Sequence, residues 1–511
     1  MSLSSAPRRI SAHEFLATLL DPDTFVSWDS PPLPVAGTER YRAELAQAAE
    51  TAGTDEAVLT GEGLLRGRRI AVIACEFGFL AGSIGVAAAE RIAEAVERAT
   101  AEGLPVIASP TSGGTRMQEG TLAFVQMVKI AGAVAEHKAA GHPYVVYLRN
   151  PTMGGVCASW GSLGHITFAE PGALIGFLGP RVYRALYDRP FPEGVQTAEN
   201  LYRNGVIDGV VGVKIFRRIA HRALSVFGGV PDPVVIPDRE RFDPRAARAL
   251  DDVAAWDSVL VSRRRERPGL RDLLRHVTSR VPLSGTGQGE SDRTVVLALA
   301  RFRGQPCVVF GHDRSGQHGE HTMGPAALRE ARRSMQLARE LRLPLVLVID
   351  TVGAALSKEA EERGLAPEIA RCIADLVTLD TPTVSVLLGQ GTGGGALALL
   401  PADRVLAAAH GWLAPLPPEG ASAIVYRDTD HAPELARAQR IRAIDLLADG
   451  IVDRIVDEYP DAAMEPVEFV RRMVAAIARE LTDLRGRPTA ELRAARSAKW
   501  RRLPARLTES S

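Results

Sequence analysis

The 511-residue sequence has little cysteine, few aromatic residues, no excess of charge of either sign and no long apolar run. Its four cysteines are isolated from one another, so neither a disulfide framework nor a cysteine-rich zinc site is expected. Lysine plus arginine and aspartate plus glutamate each total 61, which leaves no positive excess to bind nucleic acid or an anionic membrane. Because it shows neither a secretory leader nor an apolar run of about 18 residues, we expect a soluble cytoplasmic protein.

The apolar residues, 46% of the chain, suffice for at least two cores, because single domains seldom exceed about 250 to 300 residues. Segments with helical periodicity alternate with short apolar runs, which predicts an α/β fold. The predicted helix and strand pairs are 88–103 with 104–110, 121–141 with 143–149, 328–342 with 343–350, and 367–380 with 381–389.

The two halves of the chain repeat one another. The spacing from Pro105 to Pro143 equals the spacing from Pro344 to Pro382, and the spacing from Gly113 to Gly154 equals the spacing from Gly353 to Gly394. The offset of about 240 residues is far longer than a solenoid repeat, so each copy is predicted to be a whole domain. The predicted boundaries are 1–228 for the first domain, 229–292 for a connection and 293–511 for the second domain.

Two polar segments could suggest ion binding. The basic run 263–267 contains a glutamate and precedes a proline, which favours a solvated surface over an anion site. The segment 311–321 contains three histidines, but no cysteine or carboxylate completes a familiar ligand spacing. We therefore predict a polar loop there and no metal site.

Adjacent glycines follow a predicted strand in each half: Gly154 and Gly155 in the first, and Gly394 and Gly395 in the second. A segment of small residues follows each pair, so each pair is predicted to start a helix. The first N–H groups of a helix lack intrahelical acceptors and can bind a developing oxyanion, and glycine leaves the approach open. The alternative is that these glycines serve tight turns or helix packing alone. Their recurrence at one position in both halves favours the oxyanion hypothesis.

Familiar catalytic motifs do not occur in either half. The sequence has no nucleophile elbow, no P-loop and no ordered Ser/His/Asp set. We therefore expect oxyanion stabilisation, worth roughly 3 to 4 kcal/mol per well-placed donor, to be the main catalytic contribution. Two oxyanion holes, one per copy, would suit a reaction between two enolate-like partners.

Long motifs in both halves resemble the carboxyltransferase of bacterial acetyl-CoA carboxylase. In the first half, "PTSGGTRMQEGTLAFVQMVKI" and "PTMGGVCASWGSLGHITFAEPGALIGFLGPRV" resemble its β subunit. In the second half, "GQGTGGGALALLPADRVL" and "PPEGASAIVYRD" resemble its α subunit. The resemblance covers roughly Glu76 to Arg217 and Met323 to Arg454, so the chain looks like a β–α fusion.

This resemblance implies two crotonase-like α/β domains in tandem, each a β-β-α superhelix. It implies transfer of carboxyl from N-carboxybiotin to the methyl carbon of acetyl-CoA, giving malonyl-CoA for fatty acid biosynthesis, with the biotin ureido anion as the base. The implied partners are a separate biotin carboxyl carrier protein and a biotin carboxylase. A homodimer or higher homo-oligomer is also implied, because the family's active site lies between a β-like domain of one protomer and an α-like domain of another.

The family's site residues carry over by motif. Gly154 and Gly155 would bind the thioester oxyanion, and Gly394 and Gly395 the ureido oxygen of biotin. The residues that would line the CoA side are Ser112, Gly113, Gly114 and Arg116, and those on the biotin side are Gly353 and Ala354. The planar guanidinium of Arg116 could pair with a CoA phosphate, or Arg116 could be a structural ion-pair residue. Both interpretations of Arg116 remain open.

The sequence departs from the family in three places. The β subunit's four-cysteine zinc ribbon is absent, so no zinc is expected. On the α-like side, Val352 stands where proline is usual and Gln390 stands where a carboxylate is usual. Because these two changes lie on the biotin-facing half, two alternatives stay open: a malonyl-thioester decarboxylase of the same fold and a non-catalytic carboxylase scaffold. Acetyl is the preferred acyl group by resemblance alone.

Overall fold

The computed structural model describes residues 9–34, 37–228, 231, 253–319 and 321–509. The described residues divide into two compact units, the first ending at Ser225 and also including Gly287–Gly289. Each unit has its own buried apolar cluster, the first containing Ile73 and the second Val309. The expectation of at least two cores is therefore confirmed.

Helices and strands alternate along residues 9–228. The helices are α1 (Ala12–Leu19), α2 (Glu39–Ala52), α3 (Val86–Ala101), α4 (Gly120–Ala139), α5 (Gly154–Cys157), α6 (Pro180–Tyr187), α7 (Ala198–Arg203) and α8 (Val213–Phe227). The strands are β1 (Val26–Ser27), β2 (Val58–Leu65), β3 (Arg68–Cys75), β4 (Val106–Ser109), β5 (Tyr144–Leu148), β6 (Thr152–Met153), β7 (Ile166–Ala169), β8 (Ile175–Gly176) and β9 (Gly209–Val210). The predicted helix 88–103 is α3, and the predicted strand 104–110 contains β4.

Seven of these strands form one sheet in the order β1-β2-β3-β4-β5-β7-β9. The first three are antiparallel neighbours, and the others pair in parallel. Every residue of β4 and β5 is buried, as expected for parallel strands covered on both faces. Strands β6 and β8 form a separate parallel pair, and β6 ends at Met153, directly before Gly154.

The second unit has the same alternation. Its helices are α9 (Ala255–Ser262), α10 (Leu270–Arg275), α11 (Pro325–Glu340), α12 (Lys358–Glu362), α13 (Leu365–Val377), α14 (Gly393–Leu397), α15 (Pro418–Val425), α16 (Ala432–Ala438), α17 (Ala443–Ala448), α18 (Pro466–Arg485) and α19 (Thr489–Glu509). Its strands are β10 (Ser279–Leu283), β11 (Val295–Phe302), β12 (Gln305–His312), β13 (Leu345–Thr351), β14 (Thr383–Thr392), β15 (Arg404–Ala408), β16 (Trp412–Ala414) and β17 (Arg454–Val456).

These strands form a second sheet in the order β10-β11-β12-β13-β14-β15-β17, with β16 beside β14. Strands β10, β11 and β12 are antiparallel neighbours, and parallel pairing follows. This succession repeats the one in the first sheet. No helix in the described parts of the chain is long and apolar enough to cross a membrane.

Equivalent features of the two units keep one constant offset along the chain. Helix α3 begins at position 86 and helix α11 at position 325. The isolated bridge between Ile84 and Thr115 recurs, with the same offset, between Met323 and Ala354. Each bridge places a loop beside the start of a helix, so the two units share loop geometry as well as regular elements.

Part of the predicted connection 229–292 is folded into the second unit. Helices α9 and α10 and strand β10 lie within these residues, and β10 pairs with β11 at the edge of the second sheet. The Pro- and Arg-rich run 232–248 lies outside the described residues. This folded part adds helices α9 and α10 and the edge strand β10 to the second unit.

The prediction of a solvated surface for the basic run 263–267 holds for Arg265 and Glu266, which are exposed, and is wrong for Arg267. Arg267 is 3% exposed and forms an ion pair with Glu458. Arg263 forms an ion pair with Glu419. The compensating carboxylates are far away in sequence, so the local charge pattern could not predict the burial of Arg267.

Candidate active site

The glycine pair of the first unit forms a tight turn between strand β6 and helix α5. Gly154 has φ +66, which L side chains rarely adopt. A Cβ at Gly154 would lie 3.1 Å from the Cα of Gly114, so the turn requires glycine for close approach as well as for conformation. A helix begins at Gly154 as predicted, and it is a single turn, Gly154–Cys157, because the backbone of Ser159 (φ −136, ψ −118) has left the helical region.

The predicted residues Ser112, Gly113 and Gly114 form a loop against this turn. The Gly114 N–H donates to Ser112 Oγ at 3.0 Å, and the Met153 N–H donates to Ser112 O at 2.9 Å. The Ser112 side chain is fully buried and serves the loop itself. The structure therefore brings these predicted residues together through their backbones.

The second unit builds the same arrangement. Gly393 has φ +63 and Gly353 has φ +135, matching the positive φ of Gly154 and of Gly114. The Gly353 N–H donates to Thr351 Oγ1 at 3.0 Å, as the Gly114 N–H does to Ser112. Thr351 was not among the predicted site residues, because the repeat was recognised from its glycines and prolines and not from the hydroxyl residues beside them.

The glycine pair of the second unit that is equivalent to Gly154 and Gly155 lies one position earlier in the chain than predicted. The equivalents of Gly154 and Gly155 are Gly393 and Gly394, because β14 ends at Thr392 and α14 begins at Gly393. Gly395 is buried, and a Cβ there would lie 3.4 Å from the sulfur of Met323. The prolines already carried the correct offset of 239 (344 minus 105). The glycine offset of 240 (394 minus 154) arose because the run 393–395 offers a choice of pairs.

Arg116, predicted as a possible phosphate ligand, is a buried ion-pair residue. Its side chain is 1% exposed and forms ion pairs with Glu56 and Glu119. Its Nη2 also donates to Ser83 O at 2.8 Å. Burial alone would lower the pKa of Arg116, but the paired carboxylate of Glu56 raises it. The assignment of Arg116 to the CoA side is therefore corrected: its guanidinium is enclosed and already paired.

The segment 311–321 was predicted to be a polar loop, but its first two residues belong to strand β12. His312 is the last residue of β12 and is fully buried. Its Nε2 lies 3.1 Å from the sulfur of Met323, and its Nδ1 lies 3.3 Å from the backbone nitrogen of Asp350. Burial lowers the pKa of His312 to about 4, so its imidazole is neutral. It supports the loop that carries Gly353.

Gln390 is a neutral side chain at a position where the family usually has a carboxylate. Its N–H donates to Asp350 Oδ1 at 3.1 Å, and its Oε1 accepts from Arg263 Nε at 3.1 Å. Hydrogen bonding from Arg263 lowers the pKa of Glu419. The charge of Arg263 is therefore balanced by Glu419, and Gln390 keeps the hydrogen bond without a carboxylate of its own.

The described residues support neither metal binding nor catalysis by a thiol. Within them, no three His, Cys, Asp or Glu side chains are grouped to hold a metal ion; a zinc-free protein stays a prediction. Cys157, in α5, is partly buried, and burial raises its pKa. A protonated thiol is a poor nucleophile, which leaves the backbone amides as the groups of interest.

Comparisons with known proteins identify the family. The carboxyl transferase domain family matches residues 14–494. A probable biotin-dependent acyl-coenzyme A carboxylase beta3 subunit of Mycobacterium tuberculosis is 63% identical over 496 residues, 97% of this chain and 99% of that protein. The acetyl-coenzyme A carboxylase carboxyl transferase subunits beta/alpha of Salinispora arenicola are 37% identical over 519 residues, 98% of this chain and 92% of that protein. The chain belongs to the carboxyl transferase domain family of biotin-dependent acyl-CoA carboxylase beta subunits.

Solved structures share the fold at low sequence identity. The transcarboxylase 12S hexamer with hydrolysed methylmalonyl-coenzyme A has a TM-score of 0.74 at 21% identity, covering 93% of this chain and 90% of that one. A single-chain, multi-domain long-chain acyl-CoA carboxylase has a TM-score of 0.72 at 20% identity, covering 92% of this chain and 46% of that one. The predicted fold class, two crotonase-like α/β domains in tandem, is confirmed.

Family membership fixes the class of activity. The chain is an enzyme, a carboxyltransferase of a biotin-dependent acyl-CoA carboxylase, and it transfers carboxyl to an acyl-CoA. Carboxybiotin and an acyl-CoA are the substrates that the family implies, and a biotin carrier is the implied partner. The general part of the sequence prediction is confirmed. The acyl group is a finer question, because the 63% identical relative is named for acyl-CoA without a chain length.

Proposed function

We propose that the chain moves carboxyl from carboxybiotin, held on a biotin carboxyl carrier protein and loaded by a biotin carboxylase, to acetyl-CoA or another short acyl-CoA. With acetyl-CoA the product is malonyl-CoA for fatty acid biosynthesis. The observation that carries this proposal is one glycine turn built at the same place in both units. Carboxyl transfer develops negative charge on an oxygen of each partner, and each turn offers backbone donors to one such oxygen.

Gly154 and Gly155 are the proposed donors to the thioester oxygen. The first amides of a helix have no acceptor within it, and both glycines are partly exposed. The loop of Ser112, Gly113 and Gly114 packs against Gly154 and holds the turn in place. Donors fixed before the reaction require no reorganisation when the charge develops.

Gly393 and Gly394 are the proposed donors on the biotin side, with Gly353 and Ala354 beside them. They replace the predicted pair Gly394 and Gly395, because Gly395 is buried against Met323. When bound, carboxybiotin supplies the carboxyl group and the base that takes the α-proton. The chain's own contribution is to bind and orient, which accounts for the lack of a side-chain base.

A homodimer or higher homo-oligomer is proposed because each unit leaves an apolar surface uncovered. In the first unit this surface lies at the start of α4 and contains Leu122, Phe124, Val125 and Val128, which are 45–75% exposed. In the second unit the exposed apolar residues include Leu356, Leu397, Ile424 and Val425, which are 48–92% exposed. Contiguous exposed apolar patches mark interaction sites, and a second copy of the chain would cover the patch on α4.

A reconstituted assay tests the proposed function. The full chain, supplied with a biotin carboxylase, its biotinylated carrier, ATP and bicarbonate, should carboxylate acetyl-CoA with a higher kcat/KM than propionyl-CoA or longer acyl-CoA. A preference for a longer acyl-CoA would overturn the acetyl assignment but keep the carboxyltransferase. Loss of carboxyl from malonyl-CoA at the same rate with and without biotin would instead identify the decarboxylase alternative, and inactivity with every substrate would favour a scaffold.

A further inference from the structure

A cavity of about 440 Å³ lies at the opposite end of the second sheet from the glycine turn. Pro344 and Pro382, which line it, immediately precede β13 and β14. Strand β14 has 10 residues and ends directly before Gly393. At about 3.3 Å per residue, the cavity is roughly 30 Å from Gly393. It is therefore separate from the candidate active site.

The lining of this cavity is strongly basic. It contains four arginines, namely Arg339, Arg342, Arg485 and Arg487, which lie at or just after the ends of α11 and α18. Among the described residues of the lining, the single carboxylate is Asp380, whose Oδ1 already lies 3.5 Å from Arg493 Nη1. The lining arginines thus outnumber the available carboxylates within the cavity.

Two buried polar atoms of the lining have no hydrogen-bond partner among the described residues. They are Nη1 of Arg485 and Oγ1 of Thr381. Buried polar groups of folded proteins are nearly always paired, so each orphan atom calls for a partner. Burial, and then the like charge of Arg301, lower the pKa of Arg485. An anion in the cavity would supply a counter-charge to the guanidinium of Arg485, which is part of the lining.

Helix ends alone do not explain this arrangement. The carbonyl groups at a helix C-terminus attract cations, which accounts for arginines near the ends of α11 and α18. Such capping would engage the guanidinium N–H groups, whereas Nη1 of Arg485 stays unpaired. The hydroxyl of Thr381, which precedes β14, is not explained by a helix end either.

We propose that this cavity binds a small molecule carrying phosphate groups, held by Arg485 and Arg487. Planar guanidinium groups bind phosphate oxygens through paired hydrogen bonds. The volume falls in the range of small-molecule pockets, about 300 to 1,000 Å³, and exceeds what one phosphate fills. The site is separate from the glycine turns proposed for carboxyl transfer. This proposal therefore does not depend on which acyl group the enzyme carboxylates.

Calorimetric titration of the full chain with pyrophosphate and with ATP, at ionic strength matched by sodium chloride, tests the proposal. We expect saturable binding that Arg487→Gln and Arg485→Gln each weaken at least tenfold. The matched control is Arg479→Gln, which removes an exposed arginine of α18 outside the lining and should bind like the wild type. Tighter binding of ATP than of pyrophosphate would identify a nucleotide, and equal binding would identify the phosphate groups alone.

The proposal is overturned if neither probe binds saturably, or if Arg487→Gln binds both as the wild type does. Arg487 is exposed, so its replacement tests the site even where Arg485→Gln lowers stability. A thermal melt of each variant separates unfolding from lost binding. Binding is measured without turnover, so failure of the carboxyltransferase assay leaves this test unaffected.

Discussion

A Cβ added to Gly154 would lie 3.1 Å from the Cα of Gly114. Gly154 belongs to the turn between β6 and α5, and Gly114 belongs to the loop of Ser112 to Gly114. Because the near atom is backbone, no side chain can rotate away to make room. The contact therefore fixes the loop against the turn and places the first amides of α5.

Replacing Gly155 with proline tests the proposed thioester donors. Proline removes one N–H but breaks no helical hydrogen bond, because it falls in the first turn of α5. We expect kcat to fall by about 10² to 10³, with acyl-CoA affinity nearly unchanged. Steady-state kinetics, acyl-CoA binding and a thermal melt measure the three quantities. Near-normal turnover in the folded variant would leave these glycines with a packing role alone.

A glycine elsewhere in the first unit serves as the control. Gly132 lies in α4, is exposed, and a Cβ there would meet nothing within 4 Å. Gly132→Ala should raise the free energy of unfolding by roughly 0.5 to 1 kcal/mol, because alanine favours a helix interior over glycine. Carboxyl transfer should stay at the wild-type rate.

Proline at Gly394 tests the corrected correspondence between the units. We expect Gly394→Pro to abolish carboxyl exchange with biotin while acyl-CoA affinity stays intact, because Gly394 is the equivalent of Gly155. A Cβ at Gly394 would lie 2.7 Å from the end of the Ile369 side chain, so a thermal melt must accompany the assay. If Gly395→Pro removes exchange and Gly394→Pro does not, Gly395 is the functional equivalent of Gly155 and the correction is wrong.

Arg116→Gln distinguishes the two interpretations of Arg116. Removing the guanidinium leaves Glu56 and Glu119 buried without it, and breaking a buried ion pair costs about 3 to 5 kcal/mol. We expect that loss in urea unfolding, with acyl-CoA affinity of the folded protein unchanged. Weaker acyl-CoA binding at wild-type stability would instead restore the phosphate role.

Two buried histidines make stability depend on pH. Burial lowers the pKa of His137 and of His312 to about 4, from 6.5. Between these values the unfolded imidazole binds a proton and the folded one does not, so stability falls as pH falls through this window. The loss approaches about 1.4 kcal/mol per pH unit for each histidine. Urea unfolding at pH 7 and pH 5 measures it, and equal stability at the two values would contradict the burial of these rings.

Charge placed on the exposed apolar surface of α4 tests the oligomer. Phe124 is 61% and Val128 is 75% exposed, so Phe124→Glu with Val128→Glu should leave the fold intact. We expect light scattering to show a monomer and the assay to show lost carboxyl transfer. Val467→Glu, at an exposed valine of α18, is the matched control. An active wild-type monomer would contradict the proposed oligomer.

Local patterns in the sequence sufficed to predict the repeated α/β architecture and the place of the glycine turns. Helical periodicity in α3 and buried apolar runs in β4 and β5 are local properties, since each depends on residues within one or two turns or along one strand. Glycine before a helix start is local too, because positive φ is a property of a single residue. The separation of Pro344 from Pro105 also equals the true offset between the two halves, 239 residues (344 minus 105).

The correspondence of the glycines and the burial of the charged side chains depend on how the folded chain packs. Gly393 became the equivalent of Gly154 once β14 and α14 showed where the strand ends. Arg116 pairs with Glu56, 60 residues away, and Arg267 pairs with Glu458, 191 residues away. Such partners meet through the packing of the sheet, and the burial of a charge depends on whether they meet. Composition and spacing along the chain therefore could not distinguish a buried arginine from a solvated one.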